Sequence, residues 1–212
     1  MTMDYNQLKN QLVRNGFNLP DDQITKLEVY LDLLVKWNRV INLVGRSDWR
    51  FILNDLVMDS FFLGSFLSAL LKLETKETVL DLGAGAGLPG IPLRLVWKQG
   101  SYYLVESRVK RAAFMNQAIA SMNTQNTFVI NRRVQDIDPD ILPARLIISR
   151  AFMPWPKLLP LAGEMMGKQA MLIILSAEEF KGQDLSGFKM IQTMEYRINE
   201  KKRYFWALES NI

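Results

Sequence analysis

The chain contains neither cysteine nor histidine. Without cysteine it has no disulfide, no thiolate nucleophile and no zinc–sulfur site. Without histidine, a Ser-His-Asp triad, an imidazole proton shuttle and histidine metal ligands are excluded as well. Its chemistry must therefore rest on other side chains and on the backbone, and the sequence gives no sign of a metal site.

Long apolar runs are also missing from the sequence. No run approaches the roughly 20 apolar residues that cross a bilayer, and the polar segment 1–9 lacks the apolar core of a secretory signal. The chain has 212 residues, of which 49% are hydrophobic, which suits one sizeable α/β domain with a smaller appendage. We therefore expect a cytoplasmic protein without a membrane partner.

The charge of the chain is only mildly positive, with 26 Lys and Arg against 22 Asp and Glu. Residues 1–74 hold 8 basic and 9 acidic side chains, whereas residues 75–212 hold 18 and 13. The positive excess thus belongs to the second segment. By itself it is weak evidence for a polyanionic partner.

Apolar residues in the first third recur at three- and four-residue spacing, which predicts amphipathic helices. Asp21 or Asp22 is the predicted N-cap of the clearest helix, and Ser47 is predicted to cap another that runs to about residue 71. The short polar stretch 74–77 predicts a boundary between an N-terminal helical subdomain, 1–74, and a second domain, 75–212. The stripe of the clearest helix consists of Ile24, Leu27, Leu31, Leu34, Trp37 and Ile41.

Strand-like and helical segments alternate after residue 77, which predicts a parallel sheet with helices on both faces. The last two strand-like segments are joined too closely to be parallel, so they form an antiparallel hairpin. This α/β pattern, a mostly parallel seven-stranded sheet that ends in a hairpin, is typical of Rossmann-like class I S-adenosylmethionine methyltransferases. The predicted strands are 79–82, 102–105, 127–130, 146–148, 170–175, 190–198 and 204–208, and the predicted helices are 91–97, 109–122 and 155–166.

A glycine-rich turn, 83–87, follows the first predicted strand and precedes a helix. Gly83, Gly85 and Gly87 remove every second side chain, so the backbone can turn tightly and approach a ligand closely. A strand, a glycine loop and a helix N-terminus together form a nucleotide-binding corner at the carboxyl edge of a parallel sheet. An ordinary glycine-rich turn is the alternative.

Two cofactors compete for this corner. Gly85, Gly87 and Gly90 match the dinucleotide fingerprint, and Glu106 lies where a ribose-binding acid is expected. S-adenosylmethionine explains more, because Asp81 can then pair, directly or through water, with the methionine ammonium and Glu106 can accept from both ribose hydroxyls. A salt bridge from Glu106 to Arg108 or Lys110 is the structural alternative. We favour S-adenosylmethionine over a nicotinamide cofactor.

Two kinds of methyl acceptor can be excluded or made less favourable from the sequence. Methylation of pyrimidine C5 usually needs a cysteine nucleophile, and Ser149-Arg150-Ala151-Phe152 stands where enzymes that methylate exocyclic amines carry an Asn/Asp-Pro-Pro-aromatic turn. Guanine N7 has a free lone pair and loses no proton, so alignment of the reactants suffices. Arg150 is the candidate for contacting guanine O6 or the cofactor carboxylate, the alternative being a structural arginine bonded to carbonyls.

Three basic clusters are candidates for contacting RNA phosphates. In A-form RNA the major groove is too narrow for side chains, so N7 is most accessible in loops or in splayed-out bases. Each cluster alone is more often a solvated surface. The clusters are Arg108, Lys110 and Arg111; Arg132 and Arg133; and Lys201, Lys202 and Arg203 in the predicted hairpin turn.

Motifs in the expected order make the chain resemble the bacterial 16S rRNA guanine-N7 methyltransferase G family, also called glucose-inhibited division protein B. The most specific is the loop ending Leu-Pro-Gly-Ile-Pro at 88–92. The others are Trp37-Asn38 with Asn42-Leu43, Asp59-Ser60, Lys110-Arg111, Arg133-Val134 and Ser149-Arg150-Ala151.

This resemblance implies S-adenosylmethionine as cofactor, N7 of a guanine in 16S rRNA as target, and 16S rRNA or the small ribosomal subunit as partner. We expect a monomer, with Arg150 as the catalytic residue that positions the reactants together with the glycine loop. The cofactor-binding residues that the resemblance implies, together with the loop and the ribose acid, are Gly83, Gly85, Leu88, Glu106, Val134, Gln135 and Arg150.

The sequence departs from the family pattern at three places. Asp55-Leu56 replaces Arg-His, Gln135 replaces an acid at the adenine position, and Ser176-Ala177 replaces Lys-Gly at the end of the fifth strand. The loss of the family's arginine, histidine and lysine at these places weakens the prediction of RNA contacts. The alternative function is therefore a divergent RNA- or ribosome-binding member with a retained cofactor pocket and little activity.

Overall fold

A computed structural model describes residues 4–210. In this range the first helical segments precede the sheet, and the others connect its strands. The helices are α1 (Tyr5–Arg14), α2 (Asp21–Ile41), α3 (Trp49–Ile52), α4 (Met58–Leu70), α5 (Gly90–Val96), α6 (Val109–Met122) and α7 (Trp155–Gly163), and a π-helical turn, Leu53–Val57, joins α3 to α4. The strands are β1 (Thr78–Leu82), β2 (Ser101–Val105), β3 (Thr127–Ile130), β4 (Ala144–Arg150), β5 (Met166–Ser176), β6 (Phe188–Ile198) and β7 (Lys201–Ser210).

The strands form one seven-stranded sheet in the order β3-β2-β1-β4-β5-β7-β6. Strands β1 to β5 are parallel, and β7 pairs antiparallel with both β5 and β6. The predicted α/β fold is therefore confirmed. Because strand order reverses at β1 and β4, a crevice opens at their carboxyl ends, where ligands bind in such sheets.

Several predicted elements have different bounds in the structure. Helix α7 ends at Gly163 rather than at residue 166, and β5 begins at Met166. The hairpin turn consists of Asn199 and Glu200, both with positive φ (49° and 65°), as a two-residue type I′ turn requires. Residues 201–203, predicted to lie in the turn, are thus the first residues of β7.

The predicted helix caps at the N-terminal end were wrong. Pro20 precedes α2 and makes no side-chain cap, while Asp21 and Asp22 lie in the first turn, where their charge favours the helix dipole. Asp48, not Ser47, caps α3, because its carboxylate accepts from the Phe51 amide at 3.0 Å. The capping oxygen of α3 thus comes from the residue that follows the predicted Ser47.

The helical run Trp49–Leu70 is the one stretch among residues 4–210 that is long and apolar enough to span a membrane, with 22 residues and a mean hydropathy of 1.3. In the fold 61% of its most apolar window is buried within the protein. Phe61, Phe66 and Leu67 are fully or nearly fully buried, which makes this run a core helix.

The N-terminal helices and the sheet share one hydrophobic core. Leu27 and Leu31 of α2 belong to the same buried cluster as Phe114 of α6 and Leu104 of β2. The Tyr30 hydroxyl donates to the Ala86 carbonyl at 2.8 Å, so α2 supports the glycine loop from below. The predicted domain boundary at residue 74 stays a prediction. The helices that precede this boundary stabilise the glycine loop that follows it.

Candidate active site

The glycine loop follows β1 as predicted, and α5 begins at Gly90. Gly83, Gly85 and Gly87 have φ values of +71°, +59° and +73°, a region that L side chains rarely adopt. The amides of Gly83 and Ala84 both donate to the Val105 carbonyl, at 2.9 and 3.1 Å. The loop is therefore fixed to the end of β2.

Close neighbours also require glycine at two of these positions. A Cβ at Gly83 would lie 2.5 Å from Cδ2 of Phe152, and a Cβ at Gly87 would collide with the Ile91 side chain. At Gly85 the nearest atom is 3.6 Å away, on Arg111. Protein packing, as well as room for a ligand, thus explains the first and third glycines.

A cleft of about 340 Å³ opens at the carboxyl ends of β1, β2 and β4, and we call it the donor cleft. Four predicted cofactor residues meet here, namely Gly83, Glu106, Val134 and Gln135. The complete lining is Gly83, Val105, Glu106, Ser107, Arg108, Arg111, Arg132, Arg133, Val134, Gln135, Ala151 and Phe152.

Glu106 is held rigidly in the wall of the donor cleft, and its residue surface is 7% exposed. Its carboxylate accepts from the amides of Gly85 at 3.2 Å and Arg108 at 2.9 Å. The ion pair that it makes is with Arg111, at 3.7 Å, rather than with the Arg108 or Lys110 side chain. Since a carboxylate offers about four lone pairs, Glu106 retains capacity for a ligand hydroxyl.

Asp81 does not line the donor cleft, contrary to the prediction that it pairs directly with a cofactor ammonium, while pairing through water stays a prediction. It is 1% exposed, and its carboxylate accepts from the Tyr102 hydroxyl at 3.0 Å. The Gly90 amide also bonds to it, and burial raises its pKa to about 7. Because alternate residues of a strand face opposite sides, the Asp81 side chain points under the loop, where it fixes the start of α5.

Asp81 makes stability depend on pH. Its folded-state pKa of about 7 exceeds the unfolded value of about 3.9, so the folded state binds this proton more tightly. The stabilisation is complete below the unfolded pKa and is lost as pH rises through 7. Relative to Asp81→Asn, we expect the wild type to lose about 3 kcal/mol of unfolding free energy between about pH 5 and 8.

Urea denaturation without ligand at several pH values measures this difference. The asparagine of the variant would keep an oxygen for the Tyr102 hydroxyl without titrating. Parallel pH profiles for the two proteins would contradict the raised pKa of Asp81.

Two predicted cofactor residues lie in the loop but not in the cleft lining. Gly85 bonds to Glu106 through its amide. Leu88 is 9% exposed, and its amide donates to the Ala84 carbonyl at 3.1 Å. Both residues shape the loop around Gly83.

Arg150 lines a second cleft of about 340 Å³, which we call the arginine cleft. Ala151 lines both clefts, so they adjoin at the carboxyl end of β4. The lining of the arginine cleft is Asp59, Arg150, Ala151, Leu175, Ser176, Ala177, Tyr196, Lys201, Lys202 and Arg203.

Arg150 makes the carbonyl bond expected of a structural arginine and an ion pair as well. Its Nη1 donates to the Leu56 carbonyl at 3.0 Å, and its Nη2 lies 3.2 Å from Oδ2 of Asp59. Its side chain is still 19% exposed. It is thus fixed at its tip and open to the cleft along one side.

The sequence that forms the donor cleft and the loop matches a known family. The family model described as rRNA small subunit methyltransferase G (GidB) covers residues 23–202. The chain belongs to this family. Ribosomal RNA small subunit methyltransferase G from Oleidesulfovibrio alaskensis is 40% identical over 205 residues, covering 92% of this chain and 89% of that protein. The protein of that name from Lawsonia intracellularis is 41% identical over 205 residues, with coverages of 96% and 94%.

Solved structures agree on the fold. Magnesium protoporphyrin IX methyltransferase from Synechocystis PCC 6803, solved with bound SAM, superposes with a TM-score of 0.58 at 13% identity and covers 85% of this chain and 97% of that chain. MtNAS in complex with MTA and tNA gives a TM-score of 0.62 at 14% identity, covering 99% and 82%. The predicted class, an S-adenosylmethionine-dependent rRNA methyltransferase, is confirmed by the family and the fold.

The basic clusters of the methyltransferase border the two clefts. Arg108, Arg111, Arg132 and Arg133 line the donor cleft, and Lys201, Lys202 and Arg203 line the arginine cleft. Lys110 is exposed outside both linings. Clusters that are far apart in sequence thus surround one edge of the sheet.

The substituted family positions 55 and 56 hold two arginines through their backbone, and the Asp55 carboxylate also accepts from the Asn199 side-chain amide at 3.0 Å. The Asp55 carbonyl accepts from Arg203 at 2.8 Å, and the Leu56 carbonyl accepts from Arg150 at 3.0 Å. Both lie in the π-helical turn, a local widening that is frequent at functional sites. Ser176 bonds to the backbone of Glu178 through its hydroxyl.

Sequence reasoning missed the roles of Asp59 and Tyr196 in the site. The motif Asp59-Ser60 gives no role to its acid, although this carboxylate receives bonds from Arg150, Arg203 and Tyr196. The last two lie on the terminal hairpin, more than a hundred positions away in the chain. A buried acid in an apolar helix was the available signal.

Proposed function

We propose that this methyltransferase transfers the methyl group of S-adenosylmethionine to N7 of a guanine in 16S rRNA. The observation that carries the proposal is the junction of the two clefts at Ala151. Gly83 and Glu106 line the donor cleft, and Arg150 and the hairpin cations line the arginine cleft. A methyl donor in the first and a base in the second would meet at the end of β4.

The donor cleft suits the cofactor in its chemistry. Gly83 brings backbone close to the ligand, Glu106 offers acceptors to the ribose hydroxyls, and Val134 with Gln135 lies where the adenine end would bind. Gly85 and Leu88 hold the loop in shape. The bound cofactor would supply an activated methyl group, and the protein would supply its orientation.

The absence of histidine and cysteine supports N7 as the acceptor atom. N7 attacks with its own lone pair and releases no proton, so no general base is required at the junction. We assign Arg150 the role of orienting the guanine, for which O6 is the matching acceptor. Its fixed tip makes this orientation reproducible.

The cations around both clefts support RNA as the acceptor. Arginine and lysine at the rim would bind backbone phosphates, and the target base would enter the junction from a loop or a splayed position. We propose 16S rRNA or the small ribosomal subunit as substrate of a monomeric, cytoplasmic enzyme that needs no metal.

The alternative, a binding protein with little activity, rested on the departures at 55–56 and 176–177. At positions 55–56, backbone carbonyls hold Arg150 and Arg203, so these two contacts do not depend on the side chains of residues 55 and 56. This observation favours the enzyme.

Deletion of the gene, followed by chemical cleavage at 7-methylguanosine in small-subunit rRNA, tests the proposal. We expect one cleavage site to disappear and to return with the wild-type gene. Purified protein incubated with labelled S-adenosylmethionine and either 16S rRNA or small subunits identifies the substrate. An unchanged cleavage map would reject guanine N7 as the native target.

A further inference from the structure

Asp59 is a buried carboxylate shared by two arginines that lie far apart in the chain. The residue is 2% exposed. Nη1 of Arg203 lies 2.7 and 2.6 Å from its two oxygens, and Nη2 of Arg150 lies 3.2 Å from Oδ2. The Tyr196 hydroxyl donates to Oδ1 at 2.7 Å. The carboxylate is thus saturated with donors and presents no acceptor to a ligand.

The two arginines keep part of their donor capacity for a ligand. Each guanidinium has five N–H groups. The protein contacts of Arg203 use Nη1, and those of Arg150 use Nη1 and Nη2. Their side chains are 20% and 19% exposed and border the arginine cleft. Lys201 and Lys202 line the same cleft.

The charge of this cluster favours an anion. One carboxylate neutralises one of the two guanidinium groups, and Lys201 adds positive charge at the rim, whereas Lys202 is paired with Glu195 at 2.9 Å. Arginines whose orientation is fixed lose little entropy when they bind a planar or tetrahedral oxyanion. The cleft is therefore built for a phosphate group rather than for a neutral base edge alone.

We propose that Asp59 is a positioning residue that holds Arg203 toward a phosphodiester of the RNA acceptor and Arg150 beside it toward the target guanine, and we call these three residues the clamp. This inference rests on the proposed function in taking RNA as the ligand and guanine as the target base. Asp59 itself touches neither reactant. Its carboxylate joins α4 to the end of β4 and to the terminal hairpin, and the two arginines in turn bond to carbonyls of the π-helical turn.

Replacement of Asp59 by asparagine separates positioning from simple electrostatics. The change removes a negative charge beside the cleft, so charge alone predicts tighter RNA binding. Positioning predicts the opposite, because the neutral amide of asparagine would hold the two guanidinium groups less firmly. We expect the KM for 16S rRNA to rise about tenfold, with a smaller change in kcat and an unchanged Kd for S-adenosylhomocysteine.

Glu200→Gln is the matched control. Glu200 is exposed in the hairpin turn, and its replacement removes the same charge near the same cleft without touching the clamp. We expect its RNA affinity to be unchanged or slightly tighter. If Asp59→Asn binds RNA as tightly as Glu200→Gln while S-adenosylhomocysteine binding is normal, the clamp is rejected.

A second variant covers the case in which Asp59→Asn fails to fold. Arg203→Lys keeps the charge but replaces the planar fork by a point charge, so the clamp predicts weaker binding of 16S rRNA at constant net charge. Unchanged affinity would overturn the inference. The methylated position is mapped for the wild type in parallel. A target other than guanine N7 would overturn the proposed function, while the affinities of the variants would still decide on the clamp.

Discussion

Replacement of Gly83 by valine is expected to abolish binding of S-adenosylhomocysteine. The φ of +71° is unfavourable for a β-branched residue, and the new Cβ would lie 2.5 Å from the Phe152 ring. Phe152 and Ala151 form the wall beside the junction of the clefts, so relief of the collision would displace that wall. Overpacking and backbone strain together predict a loss of roughly 3 kcal/mol of stability. Calorimetry and urea denaturation measure the two effects.

Gly85→Ala is the control for this variant. Its φ of +59° is similar, but its nearest neighbour is 3.6 Å away. It therefore carries backbone strain of about 1–2 kcal/mol without a collision. We expect the variant to bind S-adenosylhomocysteine measurably. An equal loss of S-adenosylhomocysteine affinity in both variants would show that backbone conformation, rather than the contact with Phe152, decides the effect at Gly83.

Replacement of Arg150 by glutamine is expected to lower methyl transfer to 16S rRNA about 100-fold, which corresponds to about 2.7 kcal/mol. The side chain lines the arginine cleft and not the donor cleft, so the Kd for S-adenosylhomocysteine should change little. Asp59 would remain bonded to Arg203 and Tyr196, which protects the fold. Single-turnover rates at saturating cofactor, together with calorimetry, provide the two measurements.

Arg14→Gln serves as the charge-matched control, because Arg14 is exposed at the end of α1 and outside both cleft linings. Its methylation rate should stay near that of the wild type. If Arg150→Gln instead weakens S-adenosylhomocysteine while the rate at saturating cofactor is normal, Arg150 contacts the cofactor carboxylate and not the guanine.

Local sequence patterns were sufficient for the elements that carry the site. Short apolar runs identified the strands, and the glycines followed by Pro89 identified the loop and the start of α5, because these signals depend on neighbours within a few residues. The end of α7 and the caps of α2 and α3 were misassigned, since several adjacent residues were compatible with each boundary.

Asp81 shows why pattern reasoning failed within the site. Its position before the glycines was correct, but the direction of its side chain depends on which face of β1 is covered by Tyr102 and Gly90. A carboxylate surrounded by these groups is buried and structural. The sequence contains no local signal for that choice.

The sequence by itself determined the fold class, the glycine loop, the family and the absence of histidine and cysteine chemistry, because each of these follows from composition or from short-range spacing. Only the tertiary structure joined Asp59, Arg150 and Arg203, and only it separated the donor cleft from the arginine cleft. Contacts between residues 144 positions apart, as between Asp59 and Arg203, arise when β7 inserts beside β5. Packing of the whole sheet, rather than any local preference, decides that insertion.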